Sequence, residues 1–155
     1  ALMSVVDGYV QEIAMADGDD ADLAGHLGVA AAKHSALTAA ACELGALAAG
    51  ATRSRVELLR EFGDDIGLAR KHVDDALAPH DEPASGLPVV VAAVGGTDVE
   101  AGRRWCVQQA ELLHARALGH LRQAGVGEAT DLSVLATALT TARCIPVVPV
   151  QPTGG

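Results

Sequence analysis

Glu61-Phe62-Gly63-Asp64-Asp65-Ile66-Gly67-Leu68-Ala69-Arg70-Lys71-His72-Val73-Asp74-Asp75-Ala76-Leu77 reads as one continuous amphipathic helix. With Val56 and Leu59 upstream, its apolar positions are Val56, Leu59, Phe62, Ile66, Ala69, Val73 and Leu77, separated by steps of 3 and 4 residues. That period lines one side of an α-helix. Ser54-Arg55-Val56-Glu57 has the capping-box pattern at its start, and Pro79 stops it.

The same period extends in both directions. From Ala1 to Ala16, Leu2, Val5, Val6, Tyr9, Ile13 and Ala16 share a face. Asp17-Gly18-Asp19-Asp20 ends that segment and supplies an N-cap for the next, which runs from Ala21 to Ala49 with a kink expected near Lys33 and a stop at Gly50. His80 to Pro88 is a polar loop. Val89 to Val94 is a short apolar helix opened by Pro88 and closed by Gly95-Gly96. Thr97-Asp98-Val99-Glu100 is a second capping box, opening a long helix to about Ala124, and a last helix covers Glu128 to Arg143. No segment reads as a strand. The expected fold is all-α, an antiparallel helical bundle formed by residues 1–144, followed by a Pro-rich tail at 145–155.

Composition agrees with helices: 155 residues are 50% hydrophobic but only 2% aromatic, and alanine and leucine are strong helix formers. Twenty acidic and 11 basic side chains give a net charge of −9. That sign excludes a charge-driven grip on nucleic acid or an anionic membrane surface. Charged residues interrupt every apolar run, so no membrane span is expected. No signal peptide is legible, and Cys42, Cys106 and Cys144 show no CxxC spacing. A reduced, cytoplasmic protein is the simplest expectation. Because the chain begins inside an amphipathic pattern, it reads as a piece of something longer.

Chemistry concentrates on the quoted helix. Lys71, Asp74 and Asp75 stand at i, i+3 and i+4 and so share one region of its surface. Adjacent carboxylates repel unless a cation offsets them, and Mg²⁺ bridging a phosphate is a natural partner, with an ammonium beside it. The plainer reading is a solvated face with a Lys71–Asp75 pair worth about 0.3 kcal/mol. Lys33 and Lys71 are the only lysines; the other cationic positions are arginine. Glu111-Leu112-Leu113-His114 is a single ExxH, whereas a di-iron bundle needs two. Asp64-Asp65 reads as a solvated face, and the sequence has no P-loop, GxSxG or GxGxxG motif.

The stretch Glu61–Leu77 resembles the second aspartate-rich region of the trans-isoprenyl diphosphate synthases (the polyprenyl synthetase family), whose pattern is roughly FGxxxGLAFQxxDDLLD. Lys33-His34, Ala36-Leu37 and Ala41-Cys42-Glu43-Leu44-Gly45-Ala46-Leu47 resemble the family's "KT-x-x-L…A-x-x-LGA" helix. Leu87-Pro88-Val89-Val90 resembles its "LP-V", and Glu111 to Ala124 its alanine-rich penultimate helix. The resemblance spans about Val5 to Arg143. It implies an isoprenoid-synthase-like bundle joining isopentenyl diphosphate to an allylic diphosphate, with Mg²⁺ held by two aspartate-rich motifs on facing helices. It also implies metal ligation by Asp74 and Asp75 and diphosphate binding by Lys33, with Lys71 in place of a glutamine and Gln11 matching a glutamine of the preceding helix.

The sequence departs from the pattern at Arg70 for phenylalanine, His34 for threonine and Ala78 for the last aspartate. The first aspartate-rich motif belongs to an N-terminal half that these residues do not include. No catalytic residue is therefore assigned, and the chain alone is expected to be inactive. The expected partners are isoprenyl diphosphate substrates and, because the Val56–Leu77 stripe and the faces of Ala30–Ala49 need cover, a second copy or a complementary chain. The alternative is a non-catalytic helical partner that modulates an active prenyl diphosphate synthase.

Overall fold

The computed structural model describes residues 1–16, 22–79, 82, 85–94, 96–126 and 131–141. Among them lie seven α-helices and one π-helical turn, and no strand: α1 (Leu2–Ala16), α2 (Leu23–Ala30), the π turn (Ala31–Ser35), α3 (Ala36–Ala48), α4 (Arg53–Leu77), α5 (Leu87–Val94), α6 (Val99–Gln123) and α7 (Asp131–Thr140). The all-α helical bundle expected from the periodicity is what forms. The residues of the expected tail, 145–155, lie outside the described residues.

The helix read first organises the bundle. α4 packs along α6 on one side and on α3 and the π turn on another, and α5 rests on α6. The α4 stripe is buried as its period predicts: Phe62 and Ile66 meet Ala117, Leu121 and Ala136, while Ala69 and Val73 meet Ala110 and Leu113. The stripe drifts at its end. Ala76, not Leu77, joins Val90 and Cys106, and Leu77 stays 48% exposed.

Two glycines set the approach of α4 to its neighbour. A Cβ on Gly63 would stand 2.6 Å from the Thr38 carbonyl oxygen and 2.8 Å from Ala39 Cα. One on Gly67 would stand 2.8 Å from both the His34 carbonyl oxygen and Ser35 Cα. Both contacts are with backbone, which cannot swing aside. These glycines, four residues apart, are therefore a packing surface despite their poor helix propensity. Ser35 donates from its hydroxyl to the Asp64 carbonyl oxygen at 2.7 Å, fixing the π turn against α4.

The kink expected near Lys33 takes the form of that π turn, which carries Lys33 and His34. Helix starts differ in detail from the sequence reading. α4 begins at Arg53 after an extended Thr52, so Ser54 falls inside the first turn and the expected capping box is not made. α5 starts at Leu87, one residue before Pro88. Asp98 caps α6 by accepting from the Ala101 N–H at 3.0 Å. Asp22 caps α2 in the same way, through Gly25 N–H at 2.7 Å.

The expectation of uncovered apolar faces divides. The α4 stripe finds cover within the chain, on α6 and α7. α1 and α3 do not find enough. Leu2 is 78% exposed, Val10 59% and Ile13 63% on α1, and Leu44 is 65% exposed on α3. No helix among the described residues is long and apolar enough to cross a membrane.

Candidate functional site

The last two turns of α4 carry two consecutive ion pairs, each four residues apart. Arg70 Nε donates to Asp74 Oδ1 at 2.8 Å, and Lys71 Nζ donates to Asp75 Oδ1 at 2.5 Å. Neighbouring residues on a helix project about 100° apart, and here the two acids separate into different surroundings. The Asp74 side chain is 47% exposed and sits beside a half-exposed Arg70. The Asp75 side chain is 1% exposed.

Asp75 has further partners. The Gly86 N–H, at the entrance to α5, donates to Oδ1 at 2.8 Å. His26 Nε2 on α2 lies 3.7 Å from Oδ2, which accepts no hydrogen bond. Burial pushes the Asp75 carboxyl upward, but the contacts with His26, Lys71 and the Gly86 N–H outweigh it and hold the group below the usual aspartate range. Gly86 must be glycine for this packing: a Cβ there would run into the His26 ring and lie 2.8 Å from Asp75 Oδ2. Nearby, Arg103 donates to the carbonyls of Ala76 and Ala78, the latter at 2.8 Å, closing the C-terminal end of α4. His72 is buried edge-on to Trp105, ring centroids 5.4 Å apart, and burial lowers its pKa to about 4.

Lys33 projects from the π turn onto α1. Its ammonium pairs with Glu12 Oε2 at 2.7 Å and lies 4.2 Å from the centre of the Tyr9 ring. The α1 residues that meet Lys33 are therefore Tyr9 and Glu12, while Gln11 is exposed. His34 is exposed, and its pKa is lowered by partial burial, then by Lys71 and Lys33. Of the residues singled out in the sequence, Lys71 and Asp75 are in contact, Asp74 faces away toward solvent, Lys33 is engaged by α1, and Gln11 joins none of them.

An ion held between Asp74 and Asp75 needs both carboxylates turned to one point. One is buried against an ammonium and the other is paired with a guanidinium in solvent. No group of three or more His, Cys, Asp or Glu side chains among the described residues is arranged to hold a metal. As they stand, the two acids do not fit a shared ion.

Asp65, expected on a solvated face, is buried in a second polar cluster. It accepts from Arg116 Nε at 2.8 Å and lies 3.4 Å from His120 Nε2. His114, half of the ExxH, pairs with Thr140. His26, Gly86 and Arg103 were not legible as site residues. His26 sits in a short helix without a motif, and only the neighbouring Leu87-Pro88 marked the position of Gly86.

No protein-family profile matches the chain. Sequence relatives do. It is 40% identical over 90 residues to the (2E,6E)-farnesyl diphosphate synthase of Mycobacterium tuberculosis (strain ATCC 25618 / H37Rv), covering 57% of this chain and 25% of that one. It is 30% identical over 105 residues to the geranylgeranyl diphosphate synthase of Sulfolobus acidocaldarius, covering 67% of this chain and 30% of the relative. Among solved structures, a geranylgeranyl pyrophosphate synthase superposes with a TM-score of 0.76 at 16% identity, covering 89% of this chain and 57% of that one. The chain thus has the fold of an isoprenyl diphosphate synthase, and it spans only about half of such a structure and a quarter to a third of the sequence relatives.

Proposed function

We propose, from a chain that resembles part of a polyprenyl synthetase in sequence and fold, that it is one portion of a prenyltransferase-type isoprenyl diphosphate synthase. The reaction assigned to the whole is condensation of isopentenyl diphosphate with an allylic diphosphate. The observation that carries this reading is that sequence and fold give the same likeness, 40% identity over 90 residues to a farnesyl diphosphate synthase and a TM-score of 0.76 to a geranylgeranyl pyrophosphate synthase. The π turn, held against α4 through Gly67, supports it by bringing His34 within electrostatic reach of Lys71, Asp74 and Asp75.

In this reading the chain contributes diphosphate contacts from Lys33 and Lys71, and Gln11 is available on the exposed side of α1. Mg²⁺ belongs to the complementary half, because Asp74 and Asp75 do not converge on one ion. The open apolar faces of α1 and α3 are where the complementary helices, or a second copy, would dock. Localisation in the cytoplasm completes the reading.

A second reading is a non-catalytic helical subunit that modulates an active synthase. The one-to-one neutralisation of Asp74 by Arg70 and of Asp75 by Lys71 favours it. One experiment separates the two. The chain is incubated with Mg²⁺, isopentenyl diphosphate and an allylic diphosphate, alone and with a polypeptide corresponding to the remaining part of a relative. Product formed only in the mixture establishes the first reading. Absence of product, with a shifted product length when the chain is added to an intact synthase, establishes the second. No effect in either assay refutes both.

A further inference from the structure

We infer that Arg70 and Lys71 are built-in cations that occupy the electrostatic role of a divalent ion at the end of α4, and that this face binds no divalent metal. Each acid has a dedicated partner one helical turn earlier. Arg70 Nη2 lies 2.8 Å from Asp74 Oδ1 and Lys71 Nζ 2.5 Å from Asp75 Oδ1. Two acids and two cations sum to zero formal charge, so little attraction for a further dication remains.

The inner pair is the decisive one. Lys71 is 12% and Asp75 1% exposed at the side chain, so a hydrated ion cannot reach the carboxylate without expelling the ammonium. Magnesium dehydrates reluctantly and keeps several waters, and there is no room for them at a carboxylate enclosed by Lys71, His26 and Gly86. A buried ammonium that lost this partner would be left as an uncompensated charge, which opposes the exchange. The arrangement fixes the corner between α4 and α5: Asp75 Oδ1 holds the Gly86 N–H while Arg103 holds the carbonyls of Ala76 and Ala78. Asp75 is thereby a positioning residue of the bundle.

The inference rests on the proposed relation to the prenyl synthases only for the choice of metal, and its test is independent of turnover. Mn²⁺, a paramagnetic substitute for Mg²⁺, is titrated into the whole chain and followed by electron paramagnetic resonance. The expected result is no saturable binding at or below millimolar Mn²⁺, unchanged in Asp75→Asn. In the double variant Arg70→Gln, Lys71→Gln, with folding checked by circular dichroism, binding rises by roughly tenfold or more, the size of change that a ligand's immediate partners exert. Sub-millimolar binding by the unmodified chain that disappears in Asp75→Asn overturns the inference, as does a folded double variant with no gain. If the double variant does not fold, the comparison of the unmodified chain with Asp75→Asn decides alone. A failed prenyl-transfer assay alongside absent Mn²⁺ binding sinks only the prenyltransferase reading, whereas Mn²⁺ binding with active transfer sinks only this one.

Discussion

Replacing Gly67 by alanine tests the packing that brings the π turn onto α4. Two effects oppose each other. Alanine improves helix propensity by about 1 kcal/mol over glycine. The added Cβ would lie 2.8 Å from the His34 carbonyl oxygen and from Ser35 Cα, 3.0 Å from Thr38 Oγ1. Overpacking of that kind costs about 1–3 kcal/mol, and here two of the three obstructing atoms are backbone. Gly45 supplies the control. It lies in the last turn of α3, is exposed, and nothing stands within 4 Å of a Cβ added there. Gly45→Ala therefore receives the propensity gain without the clash, and the difference between the two variants isolates the close approach. Urea unfolding followed by circular dichroism should place Gly67→Ala about 1–3 kcal/mol below Gly45→Ala, equivalent to a Tm lower by roughly 2–12 °C for a domain of this size. Equal stability of the two variants would show that α4 and the π turn are not in backbone contact at Gly67, and the placement of His34 near Lys71 would fall with it.

Three further outcomes are expected. Asp75→Asn leaves the Lys71 ammonium buried without its counter-charge and should cost about 3–5 kcal/mol in the same unfolding assay; because the folded Asp75 carboxyl titrates below its ordinary value, its contribution is fully present above about pH 4 and is lost as the pH falls through the folded value, so the difference between the two proteins should shrink in acid. His72 is held neutral in the fold with a pKa of about 4 against 6.5 when unfolded, so its contribution is fully present above pH 6.5 and is lost as the pH falls toward 4. A proton NMR titration of its imidazole with a midpoint between 6 and 7 would contradict that burial. The exposed apolar residues of α1 should drive association, and light scattering should show a mass above one chain at micromolar protein that falls in Val6→Glu, Ile13→Glu.

The candidate site was legible in part. Spacing alone put Lys71 and Asp75 on one turn, and they pair. The same spacing grouped Asp74 with them, yet a sequence period cannot tell the buried edge of a helix from the wet one when both neighbours are acids. Burial is set by what packs against the helix, and here α2 and α5 cover Asp75 and leave Asp74 open. The sequence pointed to Gln11 on the first helix; the turn of α1 instead delivers Glu12 to Lys33. Asp65, read as solvated, is buried because Arg116 and His120 arrive from α6, 51 and 55 residues along the chain.

What the amino-acid order determined by itself is the helical period. Steps of 3 and 4 between apolar residues commit Val56–Val73 to one buried face whatever packs on it, and a kink near Lys33 and stops at Gly50 and Pro79 are local chemistry. What only the tertiary structure decided is the partner of each charge. Whether an acid meets water, an ammonium or a metal depends on atoms contributed by distant helices, and those distances exist only once Gly63 and Gly67 have let α4 close on the π turn and α3, and Asp75 has taken the Gly86 N–H at the α5 corner.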